Sequence, residues 1–271
     1  MINKGCLLVL LPAMLIPMFV EGQHEDEAGA AANAANPLAF VTKIDGQPNF
    51  TWKDQEGRQV NVISRFTIAT PSVGMPFIKS KDPSKVYTVY RLEAPIISQT
   101  FPANPEFDAT GLSDLILLDV VMFKQKWGWL GIGPAISIPV MKPEPISSRK
   151  WGAGFALAAL ITKKQALQWG ALAQQFYTFA GDGEIANHSY MLFQPILNVI
   201  LKGGKFVQFS PVMNFNWTDQ AYNIPIAVSV GKAFSRNLSA LIGPEYVVSG
   251  PHEGDFTFRF QLTGMFPPSK D

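Results

Sequence analysis

Cysteine, histidine and charge are all scarce in this chain of 271 residues, which holds one cysteine, three histidines and 16% charged side chains. The cysteine, Cys6, precedes the first apolar run, so the rest of the chain has no disulfide, no thiol nucleophile and no thiolate metal site. His24, His188 and His252 show no His-x-x-His or Glu-x-x-His spacing, so neither metal nor cofactor is expected. Lys plus Arg number 22 against 21 acids, a balance that lacks the basic excess a nucleic-acid partner requires. Gly131-Ile132-Gly133 and Gly152-Ala153-Gly154 lie inside extended stretches and open no helix, which removes a phosphate-binding loop. Long apolar runs are missing too: past residue 20 nothing approaches the ~18 residues of a spanning helix. Yet 47% of the residues are hydrophobic and the mean hydropathy is +0.12, so the chain is not disordered as a whole.

What is present begins with an export signal. Lys4 and the amino terminus precede an apolar run from Leu7 to Val20, too short for the ~20 residues of a membrane-spanning helix. Small residues around Gly22 suit cleavage, so residues 1–22 read as a secretory signal peptide. Residues 23–45, acidic and then alanine-rich, read as a leader or a short plug.

From there to the C-terminus the period is two. Phe256, Phe258, Phe260, Leu262 and Phe266 share one parity, with Asp255, Thr257, Arg259, Gln261 and Thr263 on the other. Twelve such strands are expected, at 46–53, 60–71, 86–97, 112–123, 127–140, 150–161, 167–179, 189–201, 206–217, 222–232, 236–248 and 255–266. Most match the ~9–11 tilted residues that cross a bilayer rather than the ~5–6 of globular strands. Short basic turns alternate with longer loops that mostly carry acids, the outer-membrane arrangement; Ser72 to Lys85 is the one long connection on the short-turn side. Aromatics near strand ends suggest two belts: Trp52, Trp151, Tyr177, Phe179, Trp217, Tyr222 and Tyr246 toward the loops, and Trp127, Trp129, Trp169 and Phe206 toward the turns. The fold expected is all-β: a closed, antiparallel, up-and-down transmembrane barrel over 46–266 with a short tail at 267–271. An open edge in lipid would strand backbone amides at several kcal/mol each.

Several segments occur in a familiar order: Asn36-Pro37-Leu38, Ala94-Pro95-Ile96-Ile97-Ser98-Gln99, Gly111-Leu112-Ser113-Asp114, Gly131-Ile132-Gly133-Pro134, Lys150-Trp151-Gly152, Trp169-Gly170-Ala171-Leu172-Ala173, Ala180-Gly181-Asp182 and Gln194-Pro195. From about Asn36 to Pro267 the chain resembles the bacterial outer-membrane barrel family named for the meta-pathway of phenol degradation, some of whose members carry the label "neuromedin U". The resemblance implies an outer-membrane barrel with a transport role and supplies no catalytic residues. Ser72 to Lys85 and the residues after Phe266 depart from the family pattern.

With the apolar parity outward, the expected lumen-lining residues are Arg65, Arg91, Glu93, Asp119, Gln194, Asn198, Gln208, Asn214, Glu245, Arg259 and Gln261. Hairpin geometry sets Glu245 near Arg259 and Arg91 near Asp119, within reach of charge-assisted pairing. Such a ring either orients a small solute or stiffens the barrel. The function expected is that of a passive channel or transporter for small compounds in the outer membrane, and the resemblance alone implies that these are hydrophobic or aromatic. Its partners would be outer-membrane lipid, the solute and the barrel-assembly machinery. An outer-membrane lipid hydrolase using His188, and a barrel without conductance, are the alternatives. His188 has no clearly placed serine and orienting acid, so no enzyme is expected.

Overall fold

The computed structural model describes residues 24–53, 56–82, 84–140, 146–164 and 166–266. The expected signal peptide over 1–22 and the expected tail over 267–271 lie outside them. Twelve antiparallel strands close into one barrel. They are β1 Thr42–Trp52, β2 Arg58–Thr70, β3 Val86–Thr100, β4 Ala109–Leu112 continued by Leu115–Lys124, β5 Gly128–Ile138 and β6 Lys150–Lys164. The remainder are β7 Leu167–Gly181, β8 Ser189–Ile200, β9 Lys205–Phe209 continued by Met213–Asn216, β10 Ala221–Ala233, β11 Leu238–Ser249 and β12 Phe256–Phe266. The first strand starts at Thr42 rather than at residue 46, which adds Lys43 and Asp45 to the wall.

Closure follows from pairing β1 with β12, where Lys43 lies opposite Met265 and Asn49 opposite Arg259. No open edge remains in the ring, so backbone donors and acceptors are met strand to strand. β4 breaks at Ser113 and Asp114, and β9 breaks around Pro211, which has no amide hydrogen to give the ladder.

The two parities separate cleanly on most strands. Phe50, Phe66, Ile68, Ile132, Val230, Phe258, Phe260 and Leu262 stand exposed on the outside of the wall, while Gln47, Asn49, Thr67, Asn198, Ser229, Thr257 and Arg259 are buried inside it. An apolar outer surface of this extent is suited to hydrocarbon rather than water. The loop-end aromatics Trp52, Trp151, Tyr177, Phe179, Trp217, Tyr222 and Tyr246 are all exposed, as a belt requires. At the turn end Trp169 is exposed, but Phe206 is buried and Trp129 packs on the inner apolar cluster. Those two rings do not belong to the expected belt: each shares its parity with lumen-facing neighbours, Phe206 with Gln208 and Trp129 with Gly131. Gly154 and Gly170 let β6 and β7 approach closely, for a Cβ at either would lie within 2 Å of a carbonyl oxygen across the pair (1.8 and 1.9 Å).

Two elements stand apart from the barrel sheet. Between β2 and β3, Ser72–Val73 pairs with Met75–Lys79 as a separate hairpin. Before β1, helix α1 (His24–Ala35) runs inside the wall, with Ala30, Ala31, Ala34 and Ala35 buried against Ile200, Phe206, Ala233, Leu241 and Met265. Only small side chains allow a helix of ~10 Å diameter so close to an inner barrel surface, and alanine also has the highest helix propensity.

Candidate functional site

The interior has two unlike halves. On the polar half, β1, β2, β3, β11 and β12 present a linked set of charges. Arg65 donates through Nη1 to Gln47 Oε1 at 2.5 Å, and its Nε lies 3.2 Å from Glu93 Oε2. Arg91 Nη2 holds the other oxygen of the same carboxylate, so Glu93 bridges two guanidiniums. Register explains the cluster: Arg65 is directly opposite Glu93, and Thr67 opposite Arg91. Further round, Arg259 Nη1 meets Glu245 Oε2 at 3.2 Å, the pair expected from the last hairpin. Asp45 accepts from Thr263 Oγ1 at 2.6 Å and from Gln261 Nε2 at 3.2 Å.

The other half is apolar. Tyr87, Val89, Leu118, Val120, Met122, Leu160, Leu172, Phe176 and Ile196 form one buried cluster on the inner faces of β3 to β8. Phe176 and Tyr190 stack with centroids 5.0 Å apart, and Tyr190 stacks in turn on His188 at 5.5 Å. Sequence reasoning assigned the interior to polar groups alone and missed this half. The clue available was that β4 to β7 carry few polar residues on either parity.

The N-terminal segment lies between the halves and is held by the ends of its own backbone. Ala35 O accepts from Asn198 Nδ2 at 3.0 Å and from Gln208 Nε2 at 2.8 Å. Lys43 Nζ donates to Asn36 O at 2.6 Å and to Asn33 O at 3.3 Å, placing a cation at the negative end of the helix. Past the helix, the Asn36 side chain accepts from the Leu38 amide at 2.9 Å and turns the chain toward the apolar half. There Leu38 is fully buried, its carbonyl accepts from Tyr87 Oη at 2.9 Å, and Phe40 sits on the Tyr87 ring with centroids 4.8 Å apart. Around Ala34, Ala35 and the charged ring the remaining cavity measures about 50 Å³, room for a few waters at most. Toward the loops the interior widens into a hollow of about 310 Å³ lined by Ser113, Asp114, Ser137, His188, Tyr190 and Asn214, among others.

Ten of the eleven expected lumen residues face inward. Gln194 donates to Ser210 Oγ at 2.7 Å, Asn214 lines the wide hollow, and Arg65, Arg91, Glu93, Asn198, Gln208, Glu245, Arg259 and Gln261 stand as described. Asp119 does not. It lies opposite Tyr90, while Arg91 lies opposite Leu118, so Asp119 is on the outer face and forms no pair with Arg91. Its surroundings are a depression of about 420 Å³ lined by Phe66, Ile68, Leu92, Leu117 and Ile136, among others, and Oδ1 is buried with no hydrogen-bond partner among the described residues. A lone carboxylate against an apolar wall is destabilising. We therefore expect Asp119→Leu to stabilise the folded barrel by ~1–3 kcal/mol, read as a higher midpoint in heat-modifiable electrophoretic mobility. A lower midpoint would mean that the carboxylate has a partner the fold needs.

His188 is tied up locally. Its amide donates to Thr178 Oγ1 at 2.6 Å, and Nδ1 lies 3.5 Å from the same hydroxyl, with no serine on the ring among the described residues. Nor do three His, Cys, Asp or Glu side chains converge among the described residues as a metal site would need.

No family model matches this sequence, and no curated protein does. Solved structures do. An outer membrane channel from Pseudomonas putida F1 superposes with a TM-score of 0.66 at 11% identity, over 92% of this chain and 100% of that one. The NanC porin superposes with a TM-score of 0.53 at 7% identity, over 82% of this chain and 98% of the porin. At these identities the likeness is one of fold.

Proposed function

We propose that this chain is an outer-membrane channel or transporter for small solutes, exported through its N-terminal signal and closed in the present state by the segment before β1. The observation that carries the reading is the combination of an apolar outer wall with an interior threaded by α1. A barrel built only as a scaffold has no need of a separate segment in its bore, since wall side chains can fill it. Barrels of eight strands are filled by side chains and those of sixteen or more enclose wide channels, so twelve leaves a bore that one helix can occupy. The fold shared with an outer membrane channel and a porin is consistent with this reading.

The lining supports a reading of the solute class. Charged and amide groups on one half, with Tyr87, Trp129, Phe176 and Tyr190 on the other, suit a small molecule with an apolar or aromatic body and a polar end. Orientation follows from the turns. The start of β1, the end of β12 and the short connections share one end, where Lys124, Lys126, Lys202 and Lys205 collect; that end faces the periplasm, beside anionic phospholipid.

Planar-bilayer recording of the refolded full chain tests the proposal. Discrete but small conductance steps are expected from a bore this nearly filled. A folded protein that leaves the bilayer silent under every applied voltage would argue for a barrel without conductance.

A further inference from the structure

The hairpin between β2 and β3 is not a simple turn. Instead of crossing at the rim, the chain folds back along the outside of the wall. Thr88 and Tyr90 are on the outward parity of β3, and both reach to it: Gly74 N donates to Thr88 Oγ1 at 2.9 Å, Thr88 Oγ1 donates to Ser72 O at 2.9 Å, and Tyr90 Oη donates to Gly74 O. Thr70 and Ser72 share a hydroxyl contact at 2.5 Å, and Ser80 N closes the base on Pro71 O at 2.9 Å. Thr88 is fully buried in consequence, although its parity is that of the lipid-facing side chains.

Those hydroxyls are where hydrocarbon would demand them. A backbone lying outside the barrel ladder has water to satisfy it in solution, but in lipid it must find partners in the protein. The side chains aimed away from the wall fit the same surroundings. Met75, Phe77 and Ile78 are 55%, 77% and 49% exposed, and Val73, across the turn, is exposed as well. Lys79, Lys81 and Lys85 follow at once, all exposed, and they join the basic rim formed by Lys124, Lys126, Lys202 and Lys205. The order of apolar tip, then lysines, then water is that of a segment lying in a membrane interface.

From this we infer that Ser72–Lys79 is embedded in the phospholipid leaflet at the terminal end of the barrel, with Met75, Phe77 and Ile78 among acyl chains and Lys79 and Lys81 at the anionic phosphates. The inference rests on the bilayer-spanning reading given above. It gives the long connection on the short-turn side a role that a plain turn would not fill: it fixes the depth and rotation of the barrel in the leaflet.

Nitroxide labels at single cysteines test both readings separately. The full chain, in a Cys6→Ser background, is reconstituted in vesicles of phosphatidylethanolamine and phosphatidylglycerol, with labels at Phe77→Cys, at Ile242→Cys on the wall and at Lys126→Cys in a turn. Relaxation by oxygen is expected to exceed relaxation by a water-soluble nickel chelate at 77 and 242, with the reverse at 126. If 77 behaves like 126 while 242 stays in lipid, the hairpin is in water and the inference falls with the barrel reading intact. If 242 is open to nickel in a folded protein, the spanning reading fails and takes the inference with it. Dipolar broadening at 77 alone would assign the apolar tip to a second copy of the chain, which also overturns it.

Discussion

Removal of His24–Val41 raises the single-channel conductance of the refolded barrel several-fold over that of the full chain. The segment occupies the bore with an alanine-covered helix and then with Leu38 and Phe40, leaving about 50 Å³ around the charged ring. Once it is gone, Asn198, Gln208 and Lys43 lose their carbonyl partners but gain a water-filled lumen, so their polar groups are not left unsatisfied. The apolar half loses Leu38, a change comparable to truncating a core leucine at ~2–5 kcal/mol, so the barrel should also melt earlier. Planar-bilayer recording gives the first effect and heat-modifiable mobility the second. Unchanged conductance from a folded, shortened barrel would place the obstruction elsewhere, in the loops or the wall.

The substitution Glu93→Gln should have the next largest effect, and on two observables. The described inner ring carries Lys43, Arg65, Arg91 and Arg259 against Asp45, Glu93 and Glu245, four cations to three anions. Neutralising Glu93 takes that balance from one excess positive charge to two and leaves two guanidiniums without their shared counter-ion. Arg91 is the more deeply buried, at 6% side-chain exposure against 13% for Arg65. Breaking a buried pair in this way costs ~3–5 kcal/mol when no water can replace the lost partner, and less here in proportion to lumen hydration. Reversal potentials across a salt gradient should move toward the anion, and the melting midpoint should fall. Glu245→Gln changes the charge balance by the same step but strands only Arg259, so it should lower the midpoint less. Equal drops in the melting midpoint from the two substitutions would contradict the shared role of Glu93.

Most of the architecture was legible from the period of two because the strands outside β4 to β7 contrast their parities strongly. The pattern Phe256 to Phe266 against Asp255 to Thr263 leaves one register open to it, since a slip by one residue would turn every phenylalanine inward. Among β4 to β7, β4 is the one that misplaces an expected lumen residue. Leu115-Ile116-Leu117-Leu118-Asp119-Val120-Val121-Met122 is apolar on both faces, so the rule that places polar residues inside rests there on Asp119 alone. The opposite answer comes from the neighbouring strand: Tyr90 faces out, and Asp119 is its cross-strand partner. Long-range register of that kind leaves no trace in a single sequence. Lys43 and Asp45 escaped for a simpler reason, since the alternation Lys43, Asp45, Gln47, Asn49 runs unbroken from before Gly46 but the strand was taken to begin there. The position of α1 was open as well. A run of alanines has no apolar stripe to declare which side it buries, and its seat is fixed by Asn198 and Gln208, more than 160 residues further along the chain (separations 163 and 173).

That alanine surface sets how the segment can vary. Methyl groups interlock with nothing, so the alanines of α1 hold no latch, and the fastening at its C-terminal end falls to carbonyl oxygens that every amino acid possesses. Exchange of Ala31 or Ala34 for glycine or serine should therefore be silent to the fastening. One leucine there would wedge the rod from the wall. Drift in composition is free, drift in girth is not, and a variant can loosen its stopper through the wall's amides without altering a letter of the helix.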